Sequence, residues 1–113
     1  MAVKRGEVWR ADLTPVRGTE QSGVRPVLVV QTDRANPHSP HTIVVPFTSR
    51  IRQRLLPSHV PVPAGEGGLS QDSVALTEQI RVIDHSRLLA KLGELPPGRM
   101  QDVAAALRTI LEL

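Results

Sequence analysis

The 113-residue chain contains no cysteine and no tyrosine, and its aromatic residues are Trp9 and Phe47 alone. Without thiols there can be no disulfide framework, no thiolate zinc site, no iron–sulfur cluster and no cysteine nucleophile. With two aromatic rings, a nucleic-acid module built on stacked aromatics is also excluded. No apolar run approaches the roughly 18 to 20 residues of a membrane span, and MAVKRGEVWRADL lacks the apolar core of a signal peptide. A cytoplasmic protein is expected. Nucleotide-cofactor motifs are missing as well. The GEGG at 65–68 is not followed by Gly-Lys-Ser/Thr and no GxGxxG occurs, so these glycines read as a turn and no cofactor is expected. His38 and His41, spaced HSPH in a proline-bearing loop, do not make a metal-ligand pattern. His41 with His59 could supply the acid and base of a two-histidine ribonuclease, but the sequence offers no geometry for the pair.

What is present is a single small domain, residues 1–113, with a globular composition of 40% hydrophobic and 22% charged residues. A chain this short buries a modest core, which dimerisation would enlarge. Twelve of its fourteen cations are Arg, and they are unevenly placed: residues 1–56 carry nine basic and four acidic side chains, a net +5, and residues 57–113 a net −2. An Arg-rich half suits a polyanionic partner, because the guanidinium fork matches phosphate oxygens.

Periodicity predicts short strands closed by one helix. Strands are expected over Glu7 to Leu13, Arg25 to Gln31 and Thr42 to Thr48, the last two continuous enough in apolar character to be buried on both faces. His59 to Pro63, Ser73 to Leu76, Ile80 to Ile83 and Leu88 to Leu92 follow, with prolines 57, 61 and 63 marking an edge strand. The stretches 14–23, 33–41 and 50–56 read as surface connections. Pro96, Pro97 and Gly98 start a helix whose apolar seam is Met100, Val103, Leu107, Ile110 and Leu111. The sum is a mainly β protein with a C-terminal helix, a small, partly open antiparallel barrel.

Arg25 stands immediately before Pro26 at the mouth of one buried strand, and Thr48 closes another, followed by Ser49 and Arg50. If those strands are neighbours, a guanidinium, a hydroxyl and the Glu20 carboxylate of the preceding loop can converge.

These residues resemble the MazF/PemK toxins of bacterial toxin–antitoxin systems, sequence-specific endoribonucleases also called mRNA interferases. The landmarks are RGEVWRADL, GTEQSGVRPVLVV, VVPFTS, DSVALTEQIRVID and the terminal helix, in that order. The resemblance implies an SH3-like β-barrel of the gyrase-poison/PemK type, a homodimer, and metal-free cleavage of single-stranded RNA at a short sequence. It places the family's catalytic Arg on Arg25, its catalytic Thr on Thr48 and the Glu of its loop on Glu20. Gln79 falls in the substrate region, and Arg17, Gln21, Ser49, Arg50, Arg52 and Arg54 are the expected RNA-binding neighbours. The His, Asp and Arg constellation proposed for the PemK branch has no counterpart here, so the MazF branch fits better. The resemblance further implies a cognate antitoxin, and the +5 half gives an acidic, disordered tail a surface on which to mimic RNA.

Metal-free RNA cleavage uses the 2′-OH as nucleophile, so a site must help deprotonate it, stabilise a dianionic phosphorane and protonate the leaving 5′ oxygen. Arg25 suits stabilisation, since a group that stays protonated above about pH 12 transfers protons poorly. Thr48 suits positioning, and Glu20 is either the base or an ion-pair partner for Arg25. Two alternatives compete: a non-catalytic toxin of the same fold that blocks a protein target such as gyrase, and an RNA-binding barrel without toxicity.

Overall fold

In a computed structural model the protein is described over residues 2–15, 17, 18, 20–51 and 54–113. Arg52, one of the expected RNA-binding residues, lies outside the described residues. Seven strands form an antiparallel sheet: β1 (Glu7–Asp12), β2 (Val24–Val29), β3 (His41–Thr48), β4 (His59–Val62), β5 (Ser73–Leu76), β6 (Arg81–Asp84) and β7 (Leu88–Glu94). The helix α1 spans Pro97–Leu111. Strand order is β4-β5-β3-β2-β1-β7, with β6 also on β3, so the sheet curls without closing into a ring. The proline-marked β4 is at an edge, where missing N–H donors cost no ladder bond.

β2 and β3 read as nearly continuous apolar runs because both of their faces are covered. Val8, Leu28, Val45 and Phe47 face one core, which α1 closes with Val103 and Ala106. Trp9, Ala11, Val27, Val29 and Val44 face a second. The helical seam ends sooner than its spacing predicts. Met100 and Leu107 pack on the first core, whereas Ile110 and Leu111 are exposed on the last turn, beyond the sheet. Residues 33–41 also differ from a plain surface loop: Asn36, 1% exposed, sits in a short 3-10 turn and bonds the side chains of Gln31, Asp33 and Thr42.

The glycine turn at 66–68 lies directly on β7. A Cβ on Gly68, whose φ is +74°, would meet the Leu92 carbonyl oxygen at 2.0 Å, and one on Gly93 would meet the Gly67 backbone at 2.6 Å. Only glycine permits that approach. Glu66 of this turn takes a two-bond contact from Arg99 at 2.8 and 3.0 Å, tying it to the first turn of α1.

The feature that makes the site is a split beside β3. Its first half, His41 to Val44, pairs with β6 and its end, Phe47 and Thr48, pairs with β5. The 3-10 turn Thr77–Gln79 joins those two partners. Buried Thr77 holds the turn by donating its hydroxyl to the Ser58 carbonyl at 2.6 Å. The residues that follow it, Glu78 and Gln79, reach the surface at the end of β3.

Candidate active site

Arg25 and Thr48 are brought together by strand register. Val27 faces Pro46 and Leu28 faces Val45 across β2 and β3; Arg25 and Thr48 stand two positions beyond the last of these pairs, and Arg25 reaches the carbonyl of Phe47, the neighbour of Thr48. On its other side Arg25 is paired with Ala11 of β1. Pro26 biases the residue before it to an extended backbone, so the sequence itself aims Arg25 out of the strand end.

The Arg25 side chain is half-buried and held by its own loop. Nε donates to the Ser22 carbonyl at 2.7 Å, and Nη1 donates to Gln21 Oε1 and, at 3.5 Å, to the Phe47 carbonyl. Nη2 has no protein acceptor among the described residues, which leaves two N–H groups for an anion. Thr48 is buried at 9% exposure. Its hydroxyl oxygen accepts the Arg50 backbone N–H at 3.1 Å, so the hydroxyl proton is available to donate elsewhere.

Thr48 borders a groove of about 580 Å³, lined on its polar side by Glu20, Gln21, Thr48, Arg50, Glu78 and Gln79; Arg25 does not line it but is bonded to Gln21, which does. Its apolar wall comes from Leu55, Leu56, Val74 and Leu76. A smaller cavity of about 160 Å³ adjoins it and shares Glu20, Gln21, Glu78 and Gln79. Glu20 is exposed, and its Oε1 accepts the Arg17 backbone N–H at 2.8 Å. No ion pair joins it to Arg25 among the described residues, so of the two roles open to Glu20 the pairing with Arg25 is not made here. Ser49 is exposed next to Thr48; Arg17 and Arg54 are exposed but do not line the groove.

His59 also lies in this groove, a place its sequence neighbours do not signal. Nδ1 accepts the Leu56 N–H at 3.2 Å, and Nε2 lies 3.0 Å from Glu78 Oε2. This fixes the neutral ring with its proton on Nε2, donated to Glu78. The conceivable pairing of His59 with His41 is overturned. His41 opens β3 and Thr48 closes it, which separates the two ends by about 23 Å at the usual rise per strand residue. No three acidic or His side chains converge as a cation site would require among the described residues. No helix among them is long and apolar enough to cross a membrane.

Known proteins resemble this chain along its full length. Endoribonuclease EndoA of Bacillus subtilis (strain 168) is 50% identical over 113 residues, which are the whole of this chain and 97% of that protein. The crystal structure of MazF (Form-I) from Deinococcus radiodurans superposes with a TM-score of 0.84 at 29% identity, covering 100% of this chain and 99% of that one. An endoribonuclease in complex with its cognate antitoxin from a mycobacterial species gives a TM-score of 0.82 at 28% identity, covering 99% of this chain and 97% of that one. The family of PemK-like, MazF-like toxins of type II toxin–antitoxin systems matches residues 4–111. With that family model matching nearly the whole chain and a relative identical at half its positions over the full length, this protein belongs to the PemK-like, MazF-like toxin family.

Proposed function

We propose that this toxin is an endoribonuclease that cuts single-stranded RNA in the groove beside Arg25 and Thr48, through attack of the ribose 2′-OH on the adjacent phosphate. The observation that carries the reading is that Arg25 and Thr48 stand at the adjoining ends of β2 and β3, each with a hydrogen-bond donor left over.

The chemistry follows from those spare donors. As the 2′ oxygen bonds to phosphorus, charge grows on the non-bridging oxygens, and the free Nη2 of Arg25 donates to one of them beside the positive charge of the guanidinium. Thr48, with one lone pair already engaged by Arg50, donates to a phosphate oxygen and sets the ribose–phosphate geometry. Two proton transfers remain, one from the 2′-OH and one to the departing 5′ oxygen. Glu20 supports the first, since only one of its oxygens is recorded in a bond, and that to a backbone N–H. For the second, the groove also holds the hydrogen-bonded pair His59 and Glu78, which supplies the proton when the pair enters the reaction carrying one more proton than a neutral ring and a carboxylate. The steps need no redox partner, and the products are a 2′,3′-cyclic phosphate and a free 5′-OH.

The partner we assign is a cognate antitoxin whose acidic tail occupies this groove in a homodimeric toxin. Arg50 meets its carboxylates, and Leu55 and Leu56, which are exposed, take apolar anchors. One titration tests both assignments. An RNA with a single 2′-deoxyribose at the scissile position should bind and survive, and an acidic peptide from the neighbouring reading frame should displace it. Salt should weaken the RNA with a slope of roughly 0.7 per neutralised phosphate. Cleavage of the deoxy-substituted RNA, or RNA that stays bound at saturating peptide, would defeat the corresponding assignment.

A further inference from the structure

We propose that Gln79 is a positioning residue for RNA cleavage, holding Gln21 so that Gln21 can aim the Arg25 guanidinium. The inference deepens the ribonuclease reading and rests on it.

An arginine side chain has many rotamers, and its value to a phosphorane depends on being fixed before the reaction starts. Two of the three bonds that fix Arg25 come from Gln21 and Ser22. Those residues belong to the connection between β1 and β2, which contains Pro15, Gly18 and Gly23 and, among the described residues, has few backbone bonds of its own outside the strands. Such a loop cannot hold a guanidinium unless something holds the loop.

The hold comes from far along the chain. The Gln21 backbone N–H donates to Gln79 Oε1 at 2.7 Å, across 58 residues of sequence. Gln79 stands on the 77–79 turn, whose Thr77 is anchored to the Ser58 carbonyl through both its hydroxyl, at 2.6 Å, and its N–H, at 3.2 Å. The same turn lies against α1. A rigid platform therefore leads through Gln79 and Gln21 to Arg25.

The residue types fit this role. Glu20-Gln21 and Glu78-Gln79 are two Glu-Gln dipeptides meeting across the groove, and in each the amide makes the bridge. A neutral amide at 21 holds Arg25 without cancelling its charge, whereas a carboxylate there would pair with the guanidinium and weaken its field on the phosphate. Both carboxylates stay in the groove.

The test compares Gln79→Leu and Gln79→Glu, each alone and in an Arg25→Ala background. The measurements are the single-turnover cleavage rate at saturating RNA and the Kd for RNA carrying 2′-deoxyribose at the scissile position. Gln79→Leu removes the acceptor at similar volume and should slow cleavage by about 10-fold, a scale set by small misplacements of a catalytic group, with Kd changed by less than about twofold. Gln79→Glu keeps an acceptor oxygen and should recover most of the rate. In the Arg25→Ala background Gln79→Leu should cost nothing further, because residues acting through one group are not additive. Weaker binding with an unchanged rate, or an equal slowing in the Arg25→Ala background, would overturn the proposal and make Gln79 a direct RNA contact. If Gln79→Leu loses the circular dichroism of the folded protein, Gln21→Leu cuts the same line from the exposed loop and is held to the same two criteria. Wild-type cleavage by Arg25→Ala itself would instead defeat the underlying ribonuclease site, whatever Gln79 does.

Discussion

Two polar clusters in this protein use their hydrogen-bonding groups in opposite ways. At the start of β1, Glu7 is 5% exposed and spends both carboxylate oxygens: Oε1 accepts from the Lys4 backbone at 2.8 Å and Trp9 Nε1 at 3.1 Å, and Oε2 pairs with Lys91 at 2.9 Å. At the far end of β3, Arg25 keeps two donors, Thr48 keeps its proton and Glu20 is exposed to solvent. The first arrangement is closed and can only stabilise the fold. The second has hydrogen-bonding capacity left for a ligand, and the proposed reaction site rests on that difference.

The comparison predicts that mutations at the open end change rate without stability, and at the closed clusters the reverse. The largest effect is expected for Arg25→Ala, a loss of about 10² to 10³ in single-turnover cleavage, the scale of removing one preorganised donor to a developing oxyanion. Its denaturation midpoint should stay near that of wild type, and Arg25→Lys should restore only part of the rate, since an ammonium lacks the fork. An unchanged rate in a folded Arg25→Ala protein would return Arg25 to an ordinary surface charge.

Asn36→Ala should do the opposite. Asn36 serves as a hub, accepting from Gln31 Nε2 and Thr42 Oγ1 at 2.9 Å and donating from Nδ2 to the Gln31 carbonyl and Asp33, each at 3.0 Å. Removing it strands buried partners, at a cost of about 2 to 3 kcal/mol in unfolding free energy. Urea denaturation should show that loss while the cleavage rate of the remaining folded protein stays at the wild-type value. A slowed rate in the folded fraction would mean that the two ends of β3 are coupled.

The smallest effect concerns pH. Burial raises the Glu7 carboxyl, but the bonds from Lys91, the Lys4 backbone and Trp9 together outweigh it and hold the group below its ordinary value. A carboxyl depressed in the folded state contributes stability that is complete above the unfolded value and is lost as pH falls through the folded one. Thermal melts should therefore weaken on acidification below roughly pH 4, and Glu7→Gln should flatten that limb while lowering Tm at neutral pH. An acid limb identical in Glu7→Gln would assign it to other carboxylates.

Most of the scaffold was legible in the sequence because β-branched runs, prolines and glycines act locally. The runs containing Val27 to Val30 and Thr42 to Thr48 revealed their strands, and Arg25 and Thr48 could be singled out because each stands at the end of such a run. What was not legible depends on contacts distant in the chain. His59 enters the groove only because β4 pairs with β5 and brings it to Glu78, 19 residues away. Asn36 resembles a loop residue until Thr42 and Gln31 close around it, and Ile110 and Leu111 continue a helical spacing past the sheet that would have buried them. Gln79 could be placed near substrate, but its bond to the backbone of Gln21 has no signature in either segment.

The central claim is that the open cluster cuts RNA through the 2′-OH, using side chains of this chain alone. Its most direct test is mass analysis of the fragments released from a long single-stranded RNA by the purified protein in excess EDTA. Cleavage that proceeds in chelator and leaves a 2′,3′-cyclic phosphate on the upstream fragment and a 5′-OH on the downstream one is the predicted result. A 3′-OH paired with a 5′-phosphate, or cleavage that appears only when Mg²⁺ is restored, would contradict it.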